Sequence, residues 1–309
     1  MDDLTGKHFT SITDFTTLQI ETLMQRAAKL NAHRKGRLNI CADKIMVYLF
    51  YEPSTRTRMS FQTAMLRLGG QVVGFDNPGV SSVSKGESLA DTVRVTQNYG
   101  DVIVIRHPQA GVPATAAEYA DVPVINAGDG ANEHPSQGLA ALFTILQKRG
   151  SVEGLKVGLC GDLKFGRTVH SFIDVLARFG AEAICIAPPE LRLPDEYLKN
   201  LQYRYDYAPT QVDSLADVMG DLDVLYMTRL QQERFGSLEA FMALQGSYNL
   251  SRDLMDHARD DLLIMHPLPR REEIPDFIDD DPRAIYFEQA GYSIPVRMAL
   301  LASVMGVEI

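Results

Sequence analysis

Residues 45–68 read IMVYLFYEPSTRTRMSFQTAMLRL, and this stretch decides the fold class. Its apolar run 45–51 predicts a buried parallel strand, and 57–68 predicts a helix that begins after a loop rich in Ser, Thr and Arg. The same order continues along the chain, with further strands predicted at 72–75, 102–106, 122–125, 155–160, 183–187, 224–227 and 262–265. Helical patterns occur at 17–34, 87–98, 135–148, 167–179 and 215–219. This alternation predicts doubly wound α/β sheets.

The length of 309 residues is about twice that of a usual single domain, so two domains are expected. Residues 148–154, KRGSVEG, combine charged residues with two glycines between a predicted helix and a predicted strand. This composition is typical of a hinge. We therefore place the boundary at 149/150, which divides the predicted strands into two parallel sheets of similar size.

Composition narrows the class of partner. The formal net charge of −10 argues against nucleic acid, and any anionic ligand would need local cationic groups. The longest apolar stretch, 139–146, is far shorter than the roughly 18 residues that span a bilayer, and the N-terminus has no leader-like composition. A cytoplasmic protein without a membrane partner is therefore expected. Cys41, Cys160 and Cys185 lack metal-ligand spacing and are expected to be buried free thiols.

The loop 54–58, STRTR, lies between the first predicted strand and its helix. Hydroxyl groups, the amides of a helix N-terminus and guanidinium groups would converge there, which suits three phosphate oxygens better than one carboxylate. Phosphate binding is therefore predicted, with Arg58 more typical of a structural role than Arg56. An ordinary Ser/Thr N-cap beside exposed arginines is the alternative.

Two further motifs follow strands of the first half. Arg106 ends the apolar run 102–106 and would point into the crevice at the carboxyl end of the sheet, although an arginine here is also typical of a surface salt bridge. His134 and Gln137 are three residues apart at a helix start and therefore share a face. His134 could donate to a carbonyl oxygen as negative charge builds there, and Gln137 could recognise an NH₂ group. Simple packing of His134 is the alternative.

Three motifs follow strands of the second half. Arg167 begins a helix after the loop 161–166, whose glycines do not fit the dinucleotide pattern G-x-G-x-x-G, and it suits a carboxylate. Arg229 and Gln231 alternate on an extended segment and can address one ligand together. The segment 266–270, HPLPR, has few backbone donors, so its carbonyls could accept hydrogen bonds from an amino group.

All six motifs follow the carboxyl ends of predicted parallel strands, where open α/β sheets bind ligands. This shared placement favours a ligand-binding edge over six unrelated surface features. A seventh segment, 81–88, is a polar loop that is typical of a lid or an intersubunit arm, and equally of a disordered tip.

Five of these motifs resemble, in order and spacing, those of the aspartate carbamoyltransferase catalytic chains over nearly the whole length: 54–58, 134–137, 161–167, 227–231 and 266–269. The resemblance implies two doubly wound parallel-sheet domains, with a last helix near 292–305 returning to the first. Residues 1–149 with 292–309 would bind carbamoyl phosphate, and 150–291 would bind L-aspartate. The implied reaction gives N-carbamoyl-L-aspartate and phosphate, an early step of pyrimidine biosynthesis, without a cofactor or a metal.

The same resemblance assigns roles to individual residues of this sequence. Phosphate would be bound by Ser54, Thr55, Arg56, Thr57 and Arg106. The carbamoyl oxygen would be held by Thr57, Arg106 and His134, and the carbamoyl NH₂ group by Gln137 and the carbonyls of Pro267 and Leu268. The aspartate carboxylates would be held by Arg167, Arg229 and Gln231. Ser81 and Lys85 would come from a neighbouring subunit of a homotrimer, with Lys85 contacting both substrates, and the implied catalytic group is His134, Arg56, Arg106, Thr57 and Lys85.

Three positions depart from the family pattern, since Glu133, Ser136 and the segment 292–295 stand where Gln, Thr and an Asn-Gly pair are common. None of them is an expected ligand. The alternatives are an ornithine or other amino-acid carbamoyltransferase, which would need an acidic group for a cationic acceptor, and a non-catalytic homologue, which would have lost ligand residues. Arg229 and 266–269 favour a dicarboxylate acceptor. The sequence leaves open a regulatory chain and allosteric control.

Overall fold

The computed structural model describes residues 3–229, 239, 242 and 248–309. The chain forms two compact units. Unit 1 comprises Met1–Phe143 and Tyr292–Ile309, and unit 2 comprises Thr144–Gly291. The C-terminal residues therefore belong to the first unit, and the first division falls at 143/144.

A four-stranded parallel sheet with the order β2–β1–β3–β4 forms the centre of unit 1. Its strands are β1 (Ile45–Phe50), β2 (Gln71–Phe75), β3 (Val102–His107) and β4 (Val124–Asp129), and its helices are α1 (Thr17–Asn31), α2 (Arg56–Leu68), α3 (Leu89–Thr96) and α4 (Val112–Ala117). Residues of β3 and β4 are almost all buried, because both faces of a parallel sheet are covered. β2 is an edge strand and is largely exposed.

Unit 2 is built on a five-stranded parallel sheet with the order β7–β6–β5–β8–β9. Its strands are β5 (Lys156–Cys160), β6 (Glu182–Ile186), β7 (Thr210–Val212), β8 (Val224–Met227) and β9 (Leu263–Met265), and its helices include α6 (Arg167–Arg178), α7 (Asp195–Tyr205) and α8 (Arg252–His257). Two longer helices, α5 (Pro135–Arg149) and α9 (Tyr286–Val304), contain the points at which the chain passes between units. One face of the sheet packs on a core that includes Leu225, Ile264 and Tyr286.

The strand order of each sheet contains one point at which the direction of winding reverses. In unit 1 the chain moves from β1 to β2 on one side and from β3 to β4 on the other, so the reversal lies between β1 and β3. In unit 2 the reversal lies between β5 and β8. Connections that leave in opposite directions open a crevice at the carboxyl ends of these strands, where ligands bind in sheets of this kind.

The predicted fold class is confirmed, since every predicted strand is present and both sheets are parallel. The short strand β7 was not predicted, because its sequence TQV offers no apolar run. The helix predicted at 215–219 is wrong. Five residues are too few to nucleate an α-helix without strong support, and this segment forms a turn followed by a 3₁₀ helix at Met219–Asp221. The last helix begins earlier than predicted, at Tyr286.

The three cysteines are free and buried, as expected from their spacing. Burial raises the pKa of Cys41 to about 11 and that of Cys185 to about 12, and it raises the pKa of Cys160 as well. All three thiols are therefore uncharged at neutral pH. In the described ranges, no helix is both long enough and apolar enough to cross a membrane.

Gly161, directly after β5, is predicted to be essential to the packing of β5 against β8. Its φ is +114°, and a Cβ atom there would lie 2.3 Å from the carbonyl oxygen of Thr228, which follows β8. We expect Gly161→Ala to lower the thermal unfolding midpoint of the full chain, because the methyl group must displace one strand end and also adopt a left-handed backbone. Scanning calorimetry would measure the shift.

Gly154→Ala is the matched control. Gly154 also has a positive φ, +74°, but no atom lies within 4 Å of the position that its Cβ would take. This variant isolates the backbone cost of about 1–2 kcal/mol. Equal losses in the two variants would show that the close approach to Thr228 is unimportant.

Candidate functional site

The loop between β1 and α2 leaves the start of that helix without a side-chain cap. Thr55 occupies the N-cap position with φ −85° and ψ −64°, and its hydroxyl makes no capping hydrogen bond. The Ser/Thr cap considered as an alternative is therefore absent at Thr55. Helix N-terminal amides that no side chain caps carry partial positive charge and suit an anion. Thr55 and Arg56 are exposed, whereas Ser54 is half-buried.

A cavity of about 460 Å³ lies beside this loop, which is in the size range of small-ligand sites. It is lined by Tyr51, Glu52, Pro53, Ser54, Thr55, Arg58, Asp76, Asn77 and Pro78. Arg58 forms an ion pair with Asp76 across one wall. This pairing agrees with the structural role expected for Arg58.

Arg106 is held at the reversal point of the unit 1 sheet by a carboxylate that sequence reasoning passed over. Its Nε donates to Oε1 of Glu52 over 2.7 Å. The side chains of Arg106 and Glu52 are only 11% and 19% exposed, so this is not the surface salt bridge considered as an alternative. Because a partly buried pair restricts rotation, Glu52 fixes the direction of the guanidinium group. The position of Glu52 two residues before the loop 54–58 was the available signal.

His134 contacts the beginning of α2 directly. Its Nε2 lies 3.1 Å from Oγ1 of Thr57, and both residues are buried. This hydrogen bond joins two motifs that are 77 positions apart in the chain. Gln137 lies one turn later and is half-buried. Its backbone amide donates to the His134 carbonyl over 2.9 Å. The structure therefore brings Thr57, His134 and Gln137 to one place.

The loop that carries His134 is fixed by two carboxylates that the motif analysis did not single out as site residues. Asp129 accepts hydrogen bonds from the amide of Gly111 at 2.8 Å and the side-chain amide of Asn132 at 2.9 Å. Glu133 accepts from the hydroxyl of Ser11 at 2.6 Å and from a neighbouring backbone amide at 3.0 Å. Glu133, a departure from the family pattern, thus anchors this loop to the N-terminal segment.

Two short 3₁₀ helices, Pro78–Val80 and Ser82–Lys85, follow β2; Ser81 lies between them, and Lys85 ends the second. The Ser81 hydroxyl donates to the carbonyl of Pro78 over 2.8 Å, and Pro78 lines the cavity beside the loop 54–58. The Lys85 side chain is exposed. The segment therefore forms two short 3₁₀ helices, and its role as a lid or an intersubunit arm stays a prediction.

In unit 2, Arg167 and Arg229 follow the two strands that flank the reversal point. Arg167 is the first residue of α6, and Arg229 lies two residues after β8; both are half-buried. The loop before Arg167 is held by Asp162, whose carboxylate accepts from the Phe165 amide over 2.9 Å. His170 secures the same loop by contacting the Leu163 carbonyl at 3.0 Å. Gln231, the third expected carboxylate ligand, lies outside the described residues.

The turn after β9 is shaped by one buried histidine. His266 Nδ1 accepts a hydrogen bond from the Leu268 amide at 2.8 Å, so its proton must reside on Nε2, which donates to Oε1 of Glu273 at 3.0 Å. The Leu268 backbone has a positive φ of +57°, which a branched side chain rarely adopts. His266 therefore holds the half-buried Pro267 and Leu268 in an unusual but defined conformation.

Glu273 must be ionised for this arrangement to hold. Burial acts to raise the pKa of Glu273, but the hydrogen bonds from His266 and from backbone amides outweigh it, so the pKa lies below its ordinary value. A lowered pKa means that the carboxylate stabilises the folded state fully above its unfolded pKa of about 4.5 and loses that effect as the pH falls through the lower folded value.

Glu273→Gln is expected to destabilise the protein by about 2 kcal/mol at pH 7, because the charge-assisted hydrogen bond from His266 is lost. The difference from the wild-type protein should shrink as the pH falls below 4.5. Urea unfolding of both proteins at several pH values would measure it.

Asp280→Asn provides the control, because Asp280 is an exposed carboxylate of the same unit. Its removal should change stability little at any pH. A Glu273→Gln deficit that stays constant from pH 7 to pH 4 would show that the carboxylate charge is not what holds the turn.

Two family models match the chain. The model described as the carbamoyl-P binding domain of aspartate/ornithine carbamoyltransferase matches residues 7–147. The model described as the Asp/Orn binding domain of aspartate/ornithine carbamoyltransferase matches residues 153–304. Together they cover most of both units.

Three proteins illustrate the similarity of this chain to others over nearly its full length. The aspartate carbamoyltransferase catalytic subunit of Clostridium novyi (strain NT) is 47% identical over 306 residues, covering 99% of this chain and 100% of that protein. Aspartate transcarbamoylase of Trypanosoma cruzi, solved in complex with carbamoyl aspartate and phosphate, has a TM-score of 0.91 and 40% identity, covering 98% of this chain and 97% of that one. The catalytic subunit of M. jannaschii aspartate transcarbamoylase has a TM-score of 0.89 and 44% identity, covering 97% and 98%.

Proposed function

The chain belongs to the aspartate/ornithine carbamoyltransferase family, and we propose that it transfers the carbamoyl group of carbamoyl phosphate to the amine of L-aspartate. The products are N-carbamoyl-L-aspartate and phosphate. The observation that carries this proposal is that each strand at a reversal point has an arginine at or after its carboxyl end, namely Arg56 and Arg106 in unit 1 and Arg167 and Arg229 in unit 2. Paired guanidinium groups suit a phosphate in one unit and a dicarboxylate in the other.

We assign carbamoyl phosphate to the domain formed by residues 1–149 with 292–309. The uncapped N-terminus of α2 and the cavity beside it support this assignment. The residues proposed to bind phosphate are Ser54, Thr55, Arg56, Thr57 and Arg106. Gln137 is proposed to accept from the carbamoyl NH₂ group through its side-chain oxygen.

The proposed chemistry needs no protein nucleophile. The uncharged amine of aspartate attacks the carbamoyl carbon, so a C–N bond forms and negative charge collects on the carbonyl oxygen. Thr57, Arg106 and His134 stabilise this oxyanion, and the contact between Thr57 and His134 supports their joint action. The C–O bond to phosphate then breaks, and the departing phosphate takes the amine proton. Orientation and electrostatic stabilisation provide the acceleration.

We assign L-aspartate to residues 150–291. Arg167 and Arg229 are proposed to bind its two carboxylates, with Gln231 as a third ligand. The carbonyl oxygens of Pro267 and Leu268 are proposed to accept hydrogen bonds from the carbamoyl NH₂ group, in the conformation that His266 supports. Two guanidinium groups would repel the cationic side chain of ornithine, which favours aspartate over the ornithine alternative. No expected ligand residue is lost from the sequence, which disfavours a non-catalytic homologue.

The purified protein is expected to form a ureido product and phosphate from carbamoyl phosphate with L-aspartate, and not with L-ornithine. His134→Ala should lower turnover by about 10²-fold or more while leaving carbamoyl phosphate binding largely intact, because it removes an oxyanion donor. Steady-state kinetics with a colorimetric ureido assay would measure both effects.

His33→Ala is the control, since His33 is an exposed histidine of the same unit and should not affect turnover. Product with ornithine alone would overturn the acceptor, and product with neither amino acid would overturn the enzyme assignment. An unchanged turnover in His134→Ala would remove His134 from the mechanism.

We further propose a cytoplasmic homotrimer in which Ser81 and Lys85 serve a neighbouring active site. Unit 1 has exposed apolar side chains, including Met59, Leu66, Val73 and Val80, with exposures of 55%, 51%, 47% and 80%. Val73 lies on β2, and an uncovered edge strand with apolar side chains is a surface that another chain can cover. Allosteric control and a regulatory chain stay predictions of the family resemblance alone.

Co-expression of Lys85→Ala with His134→Ala should restore activity that neither variant has alone. If each site takes His134 from one chain and Lys85 from the next, about one quarter of the sites in randomly mixed trimers carry both wild-type residues. The assay is the turnover of the mixed protein relative to wild type.

Co-expression of Arg56→Ala with His134→Ala is the control, because both residues are proposed to come from the same chain. That mixture should stay inactive. Recovery in the control, or its absence in the Lys85 mixture, would argue against shared sites.

A further inference from the structure

Arg297 is a charged residue in an otherwise apolar part of α9. Only 2% of its surface is exposed, and it is the largest of the fully buried side chains. Its neighbours Val296, Met298 and Ala299 are completely buried. Arginine is almost never buried without a partner, so its surroundings require an explanation.

The surroundings of Arg297 contain no balancing carboxylate. Its Nη1 donates to the hydroxyl of Ser60, and its guanidinium carbon lies 4.8 Å from the ring centre of Phe61. Its Nε is buried and makes no hydrogen bond. Among the described residues, none that carries negative charge acts on Arg297 appreciably. A buried guanidinium group without a carboxylate partner destabilises the folded protein unless the protein binds an anion nearby.

The contacts of Arg297 lead to the phosphate loop. Ser60, which accepts from Arg297, donates to the carbonyl of Arg56 over 2.6 Å and lies 3.0 Å from the carbonyl of Thr57. Both are proposed phosphate ligands in the first turn of α2. Arg297 is therefore one hydroxyl group away from the backbone that presents these ligands.

Arg106 provides a second, electrostatic link. Burial, followed by repulsion from Arg106, lowers the pKa of Arg297 to about 9. Arg297 remains a cation at neutral pH. Two guanidinium groups thus repel each other within unit 1, although Glu52 pairs with Arg106. An anion bound near Arg106 would relieve this repulsion.

We infer that Arg297 is a positioning residue for the anion site of unit 1, and that the charge of a bound phosphate group balances it. It acts through Ser60 on the first turn of α2 and through its positive charge, which a buried position screens less than water would. The inference rests on the proposed function only for the identity of the natural anion.

A balancing anion has a consequence that a packing role would not have. On this inference, the unbalanced charge destabilises the ligand-free protein. Replacing Arg297 by an apolar side chain of similar length should therefore cost little stability in the absence of phosphate, and it should weaken phosphate binding. If Arg297 served only packing, its loss would destabilise the protein and leave phosphate affinity unchanged.

The test uses Arg297→Met, Arg297→Lys and Ser60→Ala in the full chain, titrated calorimetrically with inorganic phosphate and melted with and without it. The dissociation constant of phosphate should rise about tenfold in Arg297→Met and stay within about threefold of wild type in Arg297→Lys, which keeps the charge. Ser60→Ala removes the hydrogen bond but not the charge, so it separates the two links.

Unchanged phosphate affinity in Arg297→Met overturns the inference, whatever the stability of that variant. Arg297→Met could be unstable and also bind phosphate weakly, in which case Arg297→Lys decides. Phosphate affinity close to wild type in Arg297→Lys supports the inference, and affinity as weak as in Arg297→Met overturns it. A wild-type protein that binds no phosphate also overturns it. Phosphate binding without carbamoyl transfer would contradict the proposed function while leaving this inference intact.

Discussion

Both sheets depend on the same topological constraint, which is that parallel strands need crossover connections and that these connections reverse direction once in each sheet. The reversal lies between β1 and β3 in unit 1 and between β5 and β8 in unit 2. Connections leave in opposite directions at that point, so side chains that follow these strands face a crevice. Chain segments that are far apart in sequence can therefore meet there without long loops.

The second constraint is charge, because an acidic chain must bind anions. The net charge is −10, yet the expected ligands are phosphate and carboxylates. Carboxylates that pair with arginines can fix the direction of the guanidinium groups, so an acidic chain can still present cations at a site. Glu52 directs Arg106, and Asp76 holds Arg58 aside in an ion pair. Arg297 differs in having no such partner in the described part of the chain, and this difference is the ground for inferring an external anion.

Local patterns predicted most of the fold, because buried parallel strands are continuous apolar runs. They also located the motifs at the strand ends, because each motif is short and continuous in sequence, whereas the ligand roles of these residues stay predictions. Patterns failed where the information is not local. The short β7 lacks an apolar run, and 215–219 was too short to be a helix. The partnership of His266 with Glu273 and the burial of Arg297 against α2 arise only when distant segments pack. Neither contact can be recognised from the periodicity of apolar residues in the sequence.

The buried cysteines give this protein a set of internal reporters. Cys41 lies in unit 1, whereas Cys160 and Cys185 lie in unit 2, and burial keeps all three thiols protonated and out of reach of reagents. Alkylation at each position is therefore governed by how often the surrounding structure opens rather than by thiol chemistry. Mass spectrometry of the alkylated peptides would read the opening of the two units separately in a single native sample.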